Sequence, residues 1–216
     1  MNFVLAAIYA GLISVDRFAA FNFMLSRPIV IGFVLSIIFG NHYECFYIGL
    51  VFEALGLIDV PFGTRVPKED SFGAFAACML FIILPISHSD DFILGFLLTI
   101  VLIFPVTFTT LFTRTLNKQL LQRQQAKGKV RPGQLLALGL LISFIRGVVV
   151  YSAGTLILYS LYTFIHGHLE SNFNLLIFVL MVFTFLSGYI LRFLTVHSSL
   201  KYIVFGLGLL VGWVIL

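Results

Sequence analysis

The stretch RTLNKQLLQRQQAKGKVR, residues 114–131, holds six basic side chains, Arg114, Lys118, Arg123, Lys127, Lys129 and Arg131, and no acid. Long apolar runs flank it, residues 92–112 before it and 135–165 after it. Lys and Arg in short loops stay on the cytoplasmic side of a membrane, and acids count for little in that rule. The stretch therefore sets both class and orientation: a membrane protein whose basic loop, 113–134, faces the cytoplasm.

Composition agrees. Of 216 residues, 60% are hydrophobic and 10% charged, and the mean hydropathy is +1.09. Soluble domains carry about 25% charged residues. A chain this apolar cannot cover a water-facing surface, so lipid or partner chains must solvate it. The net charge of +4 is no nucleic-acid signal, because six of the thirteen basic residues lie in the one loop. Anionic lipid head groups are the simplest partner for that loop.

A membrane-crossing helix needs about 20 apolar residues. Residues 72–87, 92–112, 135–165 and 173–194 meet or approach that length, and 202–216 is a shorter fifth candidate. With 113–134 inside, the turn at His88 to Asp91 lies outside and the chain near Phe72 lies inside. Residues 135–165 run outward and 173–194 return inward. Arg192, His197 and Lys201 then fall on the cytoplasmic side without being forced there.

The first 71 residues resist this scheme. Residues 1–18, MNFVLAAIYAGLISVDRF, lack the basic start of a secretory signal and read as a retained membrane segment. Residues 28–39 and 43–58 are apolar but short, separated by Gly40, Asn41 and His42, and 61–71 is polar (PFGTRVPKEDS). Interrupted apolar pieces of this kind suggest re-entrant or broken helices, tolerated at membrane depth only where backbone lines a cavity or packs inside protein. Eight of the nine acids lie in the first 91 residues, which puts the polar chemistry in this half. The expected fold is an all-α polytopic membrane protein: short re-entrant or broken helices over 1–71, two transmembrane helices over 72–112, the basic loop, then three more over 135–216.

Several residues carry candidate chemistry. Glu53 sits deep in an apolar piece, where an unpartnered charge costs about 3 kcal/mol. It is either an acceptor for ligand hydroxyls, a role suited to an acceptor-only group, or half of a packing ion pair. Glu69 and Asp70 either enter a ligand cavity or serve the start of a helix near Phe72, with Asp70 or Ser71 as its cap. Arg65 and Lys68 neutralise these acids or mark the cytoplasmic interface. Asn41 and His42 form a corner that binds ligand or simply turns the chain. Arg27 and Pro28 read as an interface anchor and a helix-starting proline. Arg146, inside an apolar run, needs a counter-charge, either Glu53 or a partner chain. Cys45 and Cys78 read as small buried hydrophobes. His88, Asp90 and Asp91 read as a solvated turn rather than a metal site. No phosphate-binding loop, nucleophile elbow or zinc-protease motif occurs, so self-contained catalysis, a metal and a cofactor are not expected.

RPIVIGFVLSIIFGNHYECFYIGLVFEALGL (27–57) followed by FGTRVPKEDSFGAFA (62–76) resembles the IIC subunit of the mannose/sorbose-type sugar phosphotransferase system. The shared features come in order: an Arg-Pro pair opening a short helix, a Gly-Asn corner at Gly40 and Asn41, Gly-x-x-x-Glu at Gly49 and Glu53, Leu55 with Gly56, then Gly63, Val66, Pro67, Lys68, Glu69 and Asp70. LLISFIRGVVVYSAG (140–154) is a weaker echo, with Arg146 in a helix after the basic loop. Lys68 departs from the family's second proline at that point. The resemblance implies a sugar-translocating subunit in the cytoplasmic (inner) membrane of a bacterium, in a homo- or hetero-oligomer. It further implies a IID membrane partner and soluble IIA and IIB phosphocarriers, with phosphoryl chemistry on the partners. Glu53, Asp70, Glu69, Asn41 and His42 would then contact sugar. The alternatives are a substrate-binding membrane subunit of an ATPase-driven vitamin-type importer, or a non-transporting derivative of the family.

Overall fold

The computed structural model describes residues 2–18, 23–40, 42–58, 68–84, 89–126, 131–166, 203 and 206–208. All regular structure among them is α-helix. The chain divides into two units, Met1–Glu170 and Ser171–Leu216. In the second, Ile203 and residues 206–208 are helical. The crossings expected at 173–194 and 202–216 otherwise lie outside the described residues.

The first unit contains α1 (Asn2–Phe18), α2 (Pro28–Phe39), α3 (Tyr43–Ile58), α4 (Asp70–Ile83), α5 (Ser89–Ala126) and α6 (Pro132–His166). Proline starts α2, where a missing N–H is harmless. Gly40 ends it in the left-handed region, φ 97°, with its N–H donating to the Ser36 carbonyl, a conformation that glycine adopts without penalty. The chain then reverses into α3. The two helices close to backbone contact: a Cβ on Gly32 would strike the Cys45 carbonyl, and one on Gly49 would lie 2.6 Å from the Pro28 carbonyl. At 1.5 Å per residue, α2 and α3 are about 18 and 24 Å long, short of a bilayer core of about 30 Å.

Paired side chains give the directions of the other helices. Asp70 lies by Gly56, and Phe52 by Gly73, so α4 runs antiparallel to α3. Glu69 meets Thr107 and Phe81 meets Phe92, so α5 runs antiparallel to α4. Asp91 meets His166 at 2.8 Å and Thr109 meets Arg146, so α6 returns antiparallel to α5. α4 is the hub, packed against α2, α3, α5 and α6, and every residue from Ser71 to Leu80 is buried. Cys45 and Cys78 are free and buried in the α3–α4 contact.

α5 and α6, 38 and 35 residues long, are long and apolar enough to cross a membrane. Their outward faces carry Val101, Phe104, Phe108, Val149, Leu156 and Phe164, all exposed. Large apolar side chains turned outward suit a lipid solvent. Residues 113–126, expected as loop, are instead the continuation of α5. The cause is composition: Leu, Gln, Lys and Arg are all strong helix formers, and their charge does not shorten the helix.

Candidate functional site

Four helix ends and one helix pair meet at one polar layer: the C-terminal end of α1, the N-terminal ends of α2 and α4, the C-terminal end of α3, and the middle of the α5–α6 pair at Thr109 and Arg146. Alternating helix direction brings together residues far apart in sequence.

Glu69 is the centre. It precedes α4 at the N-cap position, yet its side chain makes no cap hydrogen bond. The expectation that Asp70 or Ser71 caps this helix is corrected: the helix begins at Asp70, and the Glu69 carboxylate is used elsewhere. It is 0% exposed. Arg146 Nη2 donates to its Oε1 at 2.5 Å, and the Tyr151 hydroxyl donates to its Oε2 at 3.2 Å. Its own N–H donates to Thr107 Oγ1 at 3.2 Å. Arg146 also donates to Thr109 Oγ1, at 2.9 Å from Nη2 and 3.1 Å from Nε, and to Ser14 Oγ at 3.3 Å. The counter-charge for Arg146 is thus Glu69. Close approach of α1 and α6 makes the Ser14 contact possible, since a Cβ on Gly147 would lie 2.5 Å from the Ala10 carbonyl.

Arg17 closes the other side of the layer. Its guanidinium pairs with Asp70 and donates to Ser71 Oγ. Nη2 donates to the Lys68 carbonyl at 2.6 Å, and Nε stands 3.9 Å from Glu69 Oε2. Ser71 Oγ in turn donates to the Ser26 carbonyl at 2.5 Å. Asp16, buried beside Arg17, accepts from the Ser26 N–H and hydroxyl, both at 3.0 Å, which fastens the 23–27 turn. The Asp70 carboxylate, at the N-terminal end of α4 where helix polarity favours an anion, keeps 21% of its side chain exposed. A Cβ on Gly56 would collide with Asp70 Oδ2, so the glycine makes room for that oxygen.

Glu53 belongs to the adjacent pair. Arg27 Nη1 donates to its Oε1 at 2.9 Å, and the Ile29 N–H points to its Oε2 at 3.5 Å. Arg27 is half exposed and Glu53 less so. Ser26 and Arg27 are neighbours in the chain, so this pair adjoins the Arg17–Asp70–Ser71 group. His42 sits at the far end of α3 from Glu53, about 16 Å along the axis, and is not brought to the layer. Lys68 lies over the Phe104 ring, 5.4 Å from its centroid. Asn41, Arg65 and His88 lie outside the described residues. Among the described residues no three His, Cys, Asp or Glu side chains gather as a metal cluster would need.

Sequence reading had flagged Glu53, Glu69, Asp70 and Arg146. It had not flagged Arg17, Asp16, Ser26, Thr109 or Tyr151. Asp16-Arg17 at the end of an apolar run carried a signal, since two charges side by side there exceed what an interface anchor needs.

Among the described residues the layer is a network of carboxylate and hydroxyl acceptors held by guanidinium and hydroxyl donors. A family model described as the PTS system sorbose-specific IIC component matches residues 1–211. No curated protein matches the chain. The family match lends no support to the ATPase-coupled importer considered from sequence.

Proposed function

The chain belongs to the family of sorbose-specific IIC components of the phosphotransferase system, and from that premise we propose that it binds a sugar and passes it inward for phosphorylation by a IIB partner. Membership makes it an integral membrane component of a sugar-transport system that works with other phosphotransferase components. The finer assignments are our reading: a IID-like membrane partner, IIA and IIB phosphocarriers, a bacterial inner membrane, and residues 113–134 on the cytoplasmic face.

One observation carries the reading. Asp70 and Glu53 are each paired with an arginine, Asp70 lies against Gly56 one turn beyond Glu53 on α3, and both keep part of the side chain exposed. A carboxylate paired with an arginine retains lone pairs for hydroxyl donors. In the orientation expected from the basic stretch, this end is the inner one, and α2–α3 is a re-entrant hairpin whose other end, at His42, points outward. A sugar would meet Asn41 and His42 first and reach Asp70 and Glu53 next to the cytoplasmic phosphoryl donor. Glu69, fully buried with both oxygens engaged, holds the layer together instead of touching sugar. Arg65 lies on the polar segment leading to Lys68 and Asp70, and with Lys68 it balances the acids.

The test is reconstitution of the chain with a IID-like partner, IIA and IIB in vesicles, following phosphoenolpyruvate-dependent accumulation of phosphorylated D-mannose or L-sorbose. Asp70→Asn and Glu53→Gln should each raise KM about ten-fold, the loss expected for a hydrogen bond to a charged group. Unchanged KM in both variants would end the reading.

A further inference from the structure

Asp70 does not set its own direction. Its helix supplies only the neighbouring Ser71 N–H, 2.9 Å from Oδ1, while the cation beside it comes from a different helix, α1. We propose that Arg17 is the positioning residue of the sugar site, the group that aims the Asp70 carboxylate and fixes the end of the polar segment leading to it. This rests on the reading of Asp70 as a sugar ligand.

Four contacts carry the inference. Arg17 pairs with Asp70, donates to Ser71 Oγ, donates to the Lys68 carbonyl at 2.6 Å, and stands 3.9 Å from Glu69 Oε2. One planar guanidinium thus touches four consecutive residues, 68 to 71, where the polar stretch 61–71 enters α4. Its side chain is only 15% exposed, so its geometry is held by packing. Ser71 extends the arrangement to the Ser26 carbonyl, and Gly56 leaves the space into which Asp70 Oδ2 projects. The carboxylate is therefore held between a cation on one side and a glycine on the other, with part of the side chain exposed. A hydroxyl-bearing ligand needs such an oriented acceptor.

Arginine and lysine differ here in a useful way. Lysine keeps the charge but lacks the rigid fork of donors that serves several acceptors at once. Arg17→Lys therefore retains the neutral balance of the layer and loses its geometry. In the reconstituted complex, using whichever of D-mannose and L-sorbose the wild type takes up, Arg17→Lys should raise KM about ten-fold while Vmax per folded complex falls less than about two-fold. Arg17→Gln serves as a second variant and should raise KM further. Asp70→Asn is measured in parallel. If Asp70→Asn raises KM and Arg17→Lys does not, or if Arg17→Lys only lowers the yield of folded complex, Arg17 is structural and the inference is overturned. If Asp70→Asn also leaves KM unchanged, the sugar-site reading itself falls, and the inference with it.

Discussion

Glu69 and Arg146 illustrate what a membrane chain does with a charge it cannot expose. Each is almost wholly buried, and each alone would be an uncompensated ion in a low-dielectric setting. Removing one partner of such a pair costs about 3–5 kcal/mol, whereas replacing both with apolar side chains of similar volume is often nearly neutral. Glu69→Leu and Arg146→Met should each lower the unfolding midpoint of the detergent-purified protein sharply, and the double variant should recover most of the loss. Additive single losses would mean that the two do not act as a pair. From sequence, Glu53 and Arg146 were legible as sites because charge inside apolar context is costly, and Glu69 and Asp70 because they close a polar segment just before a helix. The Arg146 counter-charge was not, because its partner lies 77 residues away and only helix topology brings it near. Arg17 was overlooked for a related reason: its partners Ser71 and Lys68 lie 54 and 51 residues away.

Among the elements, α2 and α3 were the most legible. Pro28 and Gly40 punctuate them with residues whose backbone preferences admit few alternatives, and their shortness was visible in the spacing. The extension of α5 to Ala126 was hidden, because a run of basic and Gln residues signals sidedness by charge and helix by propensity, and the charge is the louder signal. The α1–α6 crossing was also hidden, since nothing local marks which glycine of α6 is the close approach. The structure separates them. Around Gly139 there is open space, while a Cβ on Gly147 would lie 2.5 Å from the Ala10 carbonyl and 2.6 Å from Ser14 Cβ. Gly147→Val should therefore destabilise by about 1–3 kcal/mol or more through overpacking, prising Ser14 away from Arg146. Gly139→Ala should stabilise by up to about 1 kcal/mol through helix propensity alone. Thermal unfolding of the two purified variants checks both signs, and equal effects would refute the assigned crossing.

For the molecule as a whole, composition alone was enough to place it in a membrane, because it is a sum over many residues that no single contact can reverse. The position of the polar layer needed the fold. Four of its charges oppose one another in pairs, Glu69 and Asp70 against Arg17 and Arg146, so that group has a formal sum of zero. Moving one elementary charge through the membrane field is worth about 2.3 kcal/mol per 100 mV, and a cluster that shifts as a unit with zero sum gives that field nothing to pull on. A neutral sugar passing beside it adds nothing either. Translocation should thus be electroneutral: in vesicles clamped with potassium and valinomycin, sugar entry should change less than about two-fold across about 100 mV, and a steep voltage dependence would show that one of these four charges travels without its counter-ion.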